Sequence, residues 1–156
     1  MSDQTPRDET PRFFNYAPDP DNPGWYHWDM VDERRFNTQG IGRMLLRKDD
    51  DAYARLRMFP GIRHANLMDK MHGGAMLAFI DIALFACARA LGSKGAVASV
   101  TLDLSTQFLA MGELDQPMDA VVELLRETGR LIFLRGILEQ GESRVAAFSG
   151  TLRKAG

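Results

Sequence analysis

The feature that most limits the fold is the stretch GGAMLAFIDIALFACARAL, residues 73–91. It holds no proline, is rich in Ala and Leu, and is apolar on nearly every face, which predicts a helix buried on most sides. Gly92 follows, a residue suited to the left-handed conformation at a helix end. Asp81 and Arg89 interrupt the apolar run, which fits a core helix better than a membrane span. One such helix with no second helix beside it needs a sheet that curls around it.

The rest of the chain supplies strands. Residues 41–48 and 52–59 read as a pair, with Asp49-Asp50-Asp51 as the turn and Pro60-Gly61 as the stop. Residues 62–71 are irregular. After the helix, Val100, Leu102, Leu104 and Phe108 alternate with Ser99, Thr101, Asp103, Ser105 and Gln107, the period-two pattern of a half-buried strand. Residues 118–127, 131–140 and 144–153 continue as strands, separated by Thr128-Gly129-Arg130 and Gly141-Glu142-Ser143 as hairpin turns. The fold class is α+β. A curved antiparallel sheet wrapped around one long central helix, the hotdog arrangement, fits this order, and other α+β folds remain compatible with it.

Residues 41–156 are read as that domain and residues 1–40 as an N-terminal arm. Pro18 to Gly24 is turn chemistry, and residues 1–24 are expected to be partly disordered when alone. Trp25, Tyr26 and Trp28 either pack onto the body or form a lid over a pocket.

The chain has 156 residues, enough for one sizeable core, and a formal net charge of -2. No broad basic field marks it for nucleic acid or an anionic membrane. Its single cysteine, Cys87, lies in the apolar helix and reads as core, and no cysteine cluster offers a zinc site. His27 and His64 lack spaced partners, so no metal site is expected. The polar start MSDQTPRDETPR lacks a secretory apolar stretch. A reducing, cytoplasmic location is expected.

Chemistry concentrates in Asn66-Leu67-Met68-Asp69-Lys70-Met71-His72-Gly73-Gly74 and in Asp81. Hydrolysis of a thioester needs a group that stabilises the carbonyl oxyanion and one that activates water or attacks directly. The start of a buried helix offers unpaired N–H groups and the positive end of its dipole. Gly73 and Gly74 there let a substrate carbonyl approach, because no side chain intervenes. Asp81 is a carboxylate inside an apolar helix, costly unless paired or used, and burial makes such a group a stronger base. The alternative is a hydrogen-bonded structural Asp or one at a dimer seam. Eight residues separate Gly73 from Asp81, about 12 Å along a helix axis, too far to share one thioester carbon. If both act, they come from different subunits, and antiparallel helices across a two-fold axis would give two equivalent sites.

Asn66, His72-Gly73-Gly74 and Asp81, in this order and spacing, resemble the signature of the PaaI-type hotdog acyl-CoA thioesterases, over roughly residue 41 to the C-terminus. The resemblance implies that the Gly73 amide polarises the thioester carbonyl, that Asp81 is base or nucleophile, and that Asn66 places the attacking water. It gives His72 a mainly structural role in the turn into the helix. It points to Thr101 as the strand residue supporting the carboxylate. It also implies acyl-CoA as substrate, no cofactor, and a homo-oligomer, either a dimer or a dimer of dimers. The chain departs from the pattern at Asp69, where many relatives carry glycine, and Asp69 is expected to cap the helix. Arg126, Arg130, Arg135, Arg144, Arg153 and Lys154 are candidate partners for CoA phosphates. Met68, Met71 and Met76 suggest an adaptable apolar wall, suited to a medium-chain or aryl acyl group.

Three other functions fit the same chain less well. A non-catalytic acyl-CoA binder or sensor has no need of a buried carboxylate. A dehydratase needs a differently placed histidine. A purely structural dimer module would use Asp81 only at its seam.

Overall fold

The computed structural model describes residues 8–155. The polar start, residues 1–7, on which part of the disordered-arm expectation falls, lies outside the described residues. The arm opens with a short helix, α1 (Thr10–Phe13), and three two-residue strands, β1 (Phe14–Asn15), β2 (Tyr26–His27) and β3 (Asp29–Met30). The body follows as β4 (Met44–Lys48), β5 (Tyr53–Met58), α2 (Gly73–Ala90), β6 (Val100–Phe108), β7 (Met118–Glu127), β8 (Leu131–Gln140) and β9 (Ser143–Arg153).

Seven strands pair antiparallel in the order β2-β4-β5-β7-β8-β9-β6, and α2 lies against the sheet. This is the α+β hotdog arrangement. Alternation along the strands explains it. Leu46, Leu56, Met58, Ala120 and Val122 are fully buried and join Phe79, Ile80, Ala83, Leu84 and Cys87 of the helix in one core. Each large apolar side chain so buried contributes about 1.5–3 kcal/mol. The intervening Arg55 and Arg57 pair instead with Asp119, at 2.9 and 2.6 Å. Gly92 has φ +103 and ends the helix as expected.

Helix α2 is long and apolar enough to cross a membrane by composition, but half of that stretch is buried inside the protein. Its open stripe is Gly74, Ala78, Asp81 and Phe85, spaced three or four residues apart and therefore on one side, with Leu77 beside it.

Three expectations need correction. Residues 8–24 are not a loose arm. β1 pairs with β3, Phe14 stacks on Trp28 with ring centroids 4.1 Å apart, and Arg89 of α2 bonds Thr10 and Asp8 at 2.9 and 2.7 Å. The first body strand does not begin at Ile41. Asn37–Ile41 is a wide helical turn closed by the Gly42 amide on the Asn37 carbonyl, and Gly42 at φ +94 releases the chain into β4.

The third correction concerns β6. Val100 and Leu102, expected on the core face, are 49% and 55% exposed. A bulge at Leu102 shifts the register against β9, where Thr101 faces Leu152 and Asp103 faces Thr151. One extra residue inverts the alternation, so Thr101 and Leu104 share the helix-facing side. β6 is also the end strand of the sheet, which leaves its outer edge unpaired.

Candidate active site

The approach to α2 is held tightly. Asn66 accepts the Met68 and Lys70 amides at its Oδ1 (2.8 and 3.1 Å), folding residues 66–70 into a turn. Lys70 anchors the turn to Glu113 at 2.6 Å. Asp69 occupies the left-handed region at φ 54, which accounts for glycine being favoured at such a position. It does not cap the helix. His72 does, its Nδ1 accepting the Gly74 amide at 2.8 Å. Asp69 lies three residues too early and points its backbone into the turn, whereas His72 is the residue at the helix boundary.

The cap divides the two glycines. The Gly74 amide is spent on His72, while the Gly73 amide has no hydrogen-bond partner among the described residues. A Cβ on Gly73 would meet the Phe108 ring at 3.6 Å, so an aromatic wall stands beside that amide. Asn66 keeps its Nδ2 hydrogens without a partner among the described residues. Asn66 and His72, with Ala65, Leu67 and Met68, line an open depression of about 660 Å³. Leu67 is fully exposed and Met68 61% exposed, an unusual display of apolar surface.

Asp81 lies further along α2 and is half-buried. Thr101 Oγ1 donates to its Oδ1 over 2.5 Å, so the strand residue meets the helix carboxylate. Oδ2 is left for another partner. The carboxylate borders a separate cavity of about 260 Å³, whose walls include Phe14, Trp28, Asn37, Phe85 and Val97. Within one chain, then, Asn66, His72 and Gly73 gather at one end of the helix, and Asp81 and Thr101 meet halfway along it.

Other candidates take structural positions. His64 is buried, accepting the Gly61 amide at Nδ1 (3.0 Å) and placing Nε2 3.0 Å from the Gly40 carbonyl. Burial, and then nearby Arg63, lower its pKa. Burial pushes the Cys87 thiol up, which keeps it protonated and unreactive. Among the described residues no three His, Cys, Asp or Glu side chains gather as metal ligands. Arg135 is paired with Glu123 and Lys154 with Glu127. Arg130 and Arg153 stand at the same end of the sheet, Arg153 opposite Val100 at the start of β6.

Trp25 and Trp28 are both buried against the body, the first of the two readings. Trp25 packs between Arg47 and Arg57, at 4.6 and 4.5 Å from ring to guanidinium. Trp28 instead forms a wall of the Asp81 cavity. Phe14 and Asn37 in that cavity carried no recognisable sequence signal, since the contact depends on how the arm folds back.

A family model described as the thioesterase superfamily matches residues 68–147, just over half of the chain. The chain belongs to the thioesterase superfamily. The match begins at the turn before α2 and so takes in His72, Gly73, Asp81 and Thr101, while the arm lies outside it. No curated protein matches the sequence.

Solved structures share the fold of this superfamily member at low identity. Zebra fish thioesterase superfamily member 2 has a TM-score of 0.69 at 13% identity, over 80% of this chain and 90% of that one. The E. coli PaaI protein from the phenylacetic acid degradation operon has a TM-score of 0.66 at 18% identity, over 80% and 87%. A hypothetical thioesterase from Streptococcus pneumoniae TIGR4, solved with coenzyme A, has a TM-score of 0.61 at 17% identity, over 76% and 90%.

Proposed function

We propose that the protein hydrolyses an acyl-CoA thioester to the free acid and CoA, at sites shared between two subunits. The observation that carries this is the Asp81 carboxylate, held by Thr101 beside a cavity lined by both polar and apolar side chains, on the same helix that begins with the unpartnered Gly73 amide. In a thioesterase superfamily member this is the equipment acyl transfer needs: a base or nucleophile and an oxyanion donor. The S. pneumoniae neighbour's coenzyme A supports CoA as the thiol.

As base, Asp81 takes a proton from water through Oδ2, the oxygen Thr101 leaves open. Asn66 Nδ2 helps place that water. The hydroxide adds to the carbonyl carbon, and the Gly73 amide holds the oxygen as it becomes negative. Collapse breaks the C–S bond, and the CoA thiolate leaves with the proton. As nucleophile, Asp81 adds to the same carbon, expels the thiolate and forms an anhydride that water then opens. Both routes consume one water and need neither redox nor metal chemistry. His72 serves by fixing the helix start.

Sharing follows from the spacing of Gly73 and Asp81, about 12 Å on one straight helix. The surface fits a two-fold partner. β6 is a nine-residue edge strand with Val100 and Leu102 exposed, and the open stripe of α2 contains Asp81 itself. A long apolar edge is a template for pairing with another chain. A dimer, or a dimer of dimers, in the cytoplasm is the assembly proposed, with neither nucleic acid nor membrane as partner.

The test is thiol release from a panel of short, long and aryl acyl-CoAs by wild type and by Asp81→Asn. Turnover of one class by wild type, with a loss of 10²-fold or more in a variant that still assembles, supports the reading. No thiol release from any ester, together with a raised melting temperature from one of them, overturns hydrolysis in favour of acyl-CoA binding.

A further inference from the structure

Gln140, the last residue of β8, is a polar side chain in an inward row, following Ile132, Leu134 and Leu138, and is only 4% exposed. A buried amide of this kind needs partners. Gln140 finds all of them in residues 109–117, the irregular connection from β6 to β7. Its Oε1 accepts the Glu113 amide at 2.7 Å, and its Nε2 donates to the Glu113 and Gln116 carbonyls at 2.9 and 3.1 Å. The flipped amide would set Oε1 against two carbonyls, so the partners fix this orientation.

The connection in turn holds the approach to α2. The Gly112 carbonyl accepts the Met71 amide at 2.8 Å, and the Glu113 carboxylate takes Lys70 Nζ at 2.8 and 2.6 Å. Gly112 lies so close that a Cβ on it would stand 2.9 Å from Met71 Cβ. Among the described residues, the hydrogen bonds of residues 112–116 go only to Gln140, Lys70 and Met71. Lys70 also closes the Asn66 turn, its carbonyl accepting the Asn66 amide at 2.7 Å. Met71 and His72 then lead directly into Gly73. Phe108, the aromatic wall beside the Gly73 amide, precedes the same connection.

We propose that Gln140 is a positioning residue for the reaction, setting the place of the Gly73 amide and of Asn66 through residues 112–116. This rests on the thioesterase reading of those two groups. Gln140 touches no reacting atom and acts through Lys70 and Met71. An oxyanion donor works by its geometry, and a misplacement of about 1 Å can cost about 10²-fold in rate. An apolar side chain at 140 leaves one N–H and two carbonyls unpaired, which frees the connection to shift. The oxyanion forms only in the transition state, so the loss falls on kcat and not on KM.

The experiment measures thiol release by the full chain on the ester that wild type turns over best, at a temperature where circular dichroism shows every variant folded. Gln140→Met keeps the length and removes the three hydrogen bonds. It should lower kcat about 10- to 100-fold and leave KM within about 2-fold. Lys70→Met breaks the same tether from the other side, and should lower kcat by a smaller factor. The double variant should be little worse than Gln140→Met alone, because both changes release one connection. A kcat in Gln140→Met within about 2-fold of wild type, or losses that multiply in the double variant, overturns the proposal. If Gln140→Met does not fold, Lys70→Met decides, and an unchanged kcat there overturns it. Wild type that releases no thiol would sink the hydrolase reading instead. Hydrogen exchange at the Met71 amide then still reads the tether: it should be faster in Gln140→Met, and equal exchange would show that Gln140 holds nothing at the helix start.

Discussion

Thr101 on β6 reaches Asp81 on α2 at 2.5 Å, and it does so because the bulge at Leu102 turns it toward the helix. A regular strand that kept Leu104 inward would have sent Thr101 outward. The bulge thus orients the carboxylate. A hydrogen bond to a charged group is worth about 1.5–3 kcal/mol, so Thr101→Val should lower kcat about 10- to 100-fold with KM little changed. Thr101→Ser should restore most of it. Steady-state kinetics on the best ester decides, and unchanged kcat in the valine variant would show that Asp81 needs no such support.

His72 is expected to act through the helix start. His72→Asn keeps a capping acceptor and His72→Ala does not. The alanine variant should lose about 1 kcal/mol of stability in urea unfolding and also lose activity, while the asparagine variant keeps most of both. Equal loss of turnover in both, with the asparagine variant fully stable, would instead assign the imidazole a direct chemical role.

Leu102 is 55% exposed on the edge strand, so it contributes little to the fold of a single chain. Leu102→Asp should leave far-UV circular dichroism unchanged, halve the mass seen by light scattering, and abolish turnover with it. A monomeric variant that keeps full activity would show each chain to have a complete site.

His64 predicts how stability varies with pH. Burial lowers its native pKa below the ordinary value, which the unfolded chain retains. The unfolded state therefore binds the proton first as pH falls, and stability declines below about pH 6.5. Urea midpoints should drop between about pH 7 and pH 5.5 in wild type, and drop less in His64→Gln. Parallel slopes in the two proteins would remove His64 from that account.

Much of this was legible because it is local. An apolar stretch without proline, ended by Gly92, specifies α2, and the alternation in β5 and β7 specifies the inner face of the sheet. Asp81 stood out as the carboxylate in an apolar helix. What sequence missed depends on partners far along the chain. The Leu102 bulge exists only in register with β9. The cavity walls Phe14 and Asn37 meet Asp81 only once the arm folds back. Asp69 and His72 both carry side chains that can accept a helix amide, and only the backbone path shows that His72 sits at the boundary.

The central claim is a thioester-hydrolysing site built from Gly73 of one subunit and Asp81 of another. The most direct test co-expresses two inactive variants, Asp81→Asn and Gly73→Val, and measures thiol release by the mixture. In mixed dimers one of the two sites keeps both native groups, so random assembly should recover about a quarter of wild-type activity. No recovery in mixtures proven to contain mixed dimers would contradict the shared site.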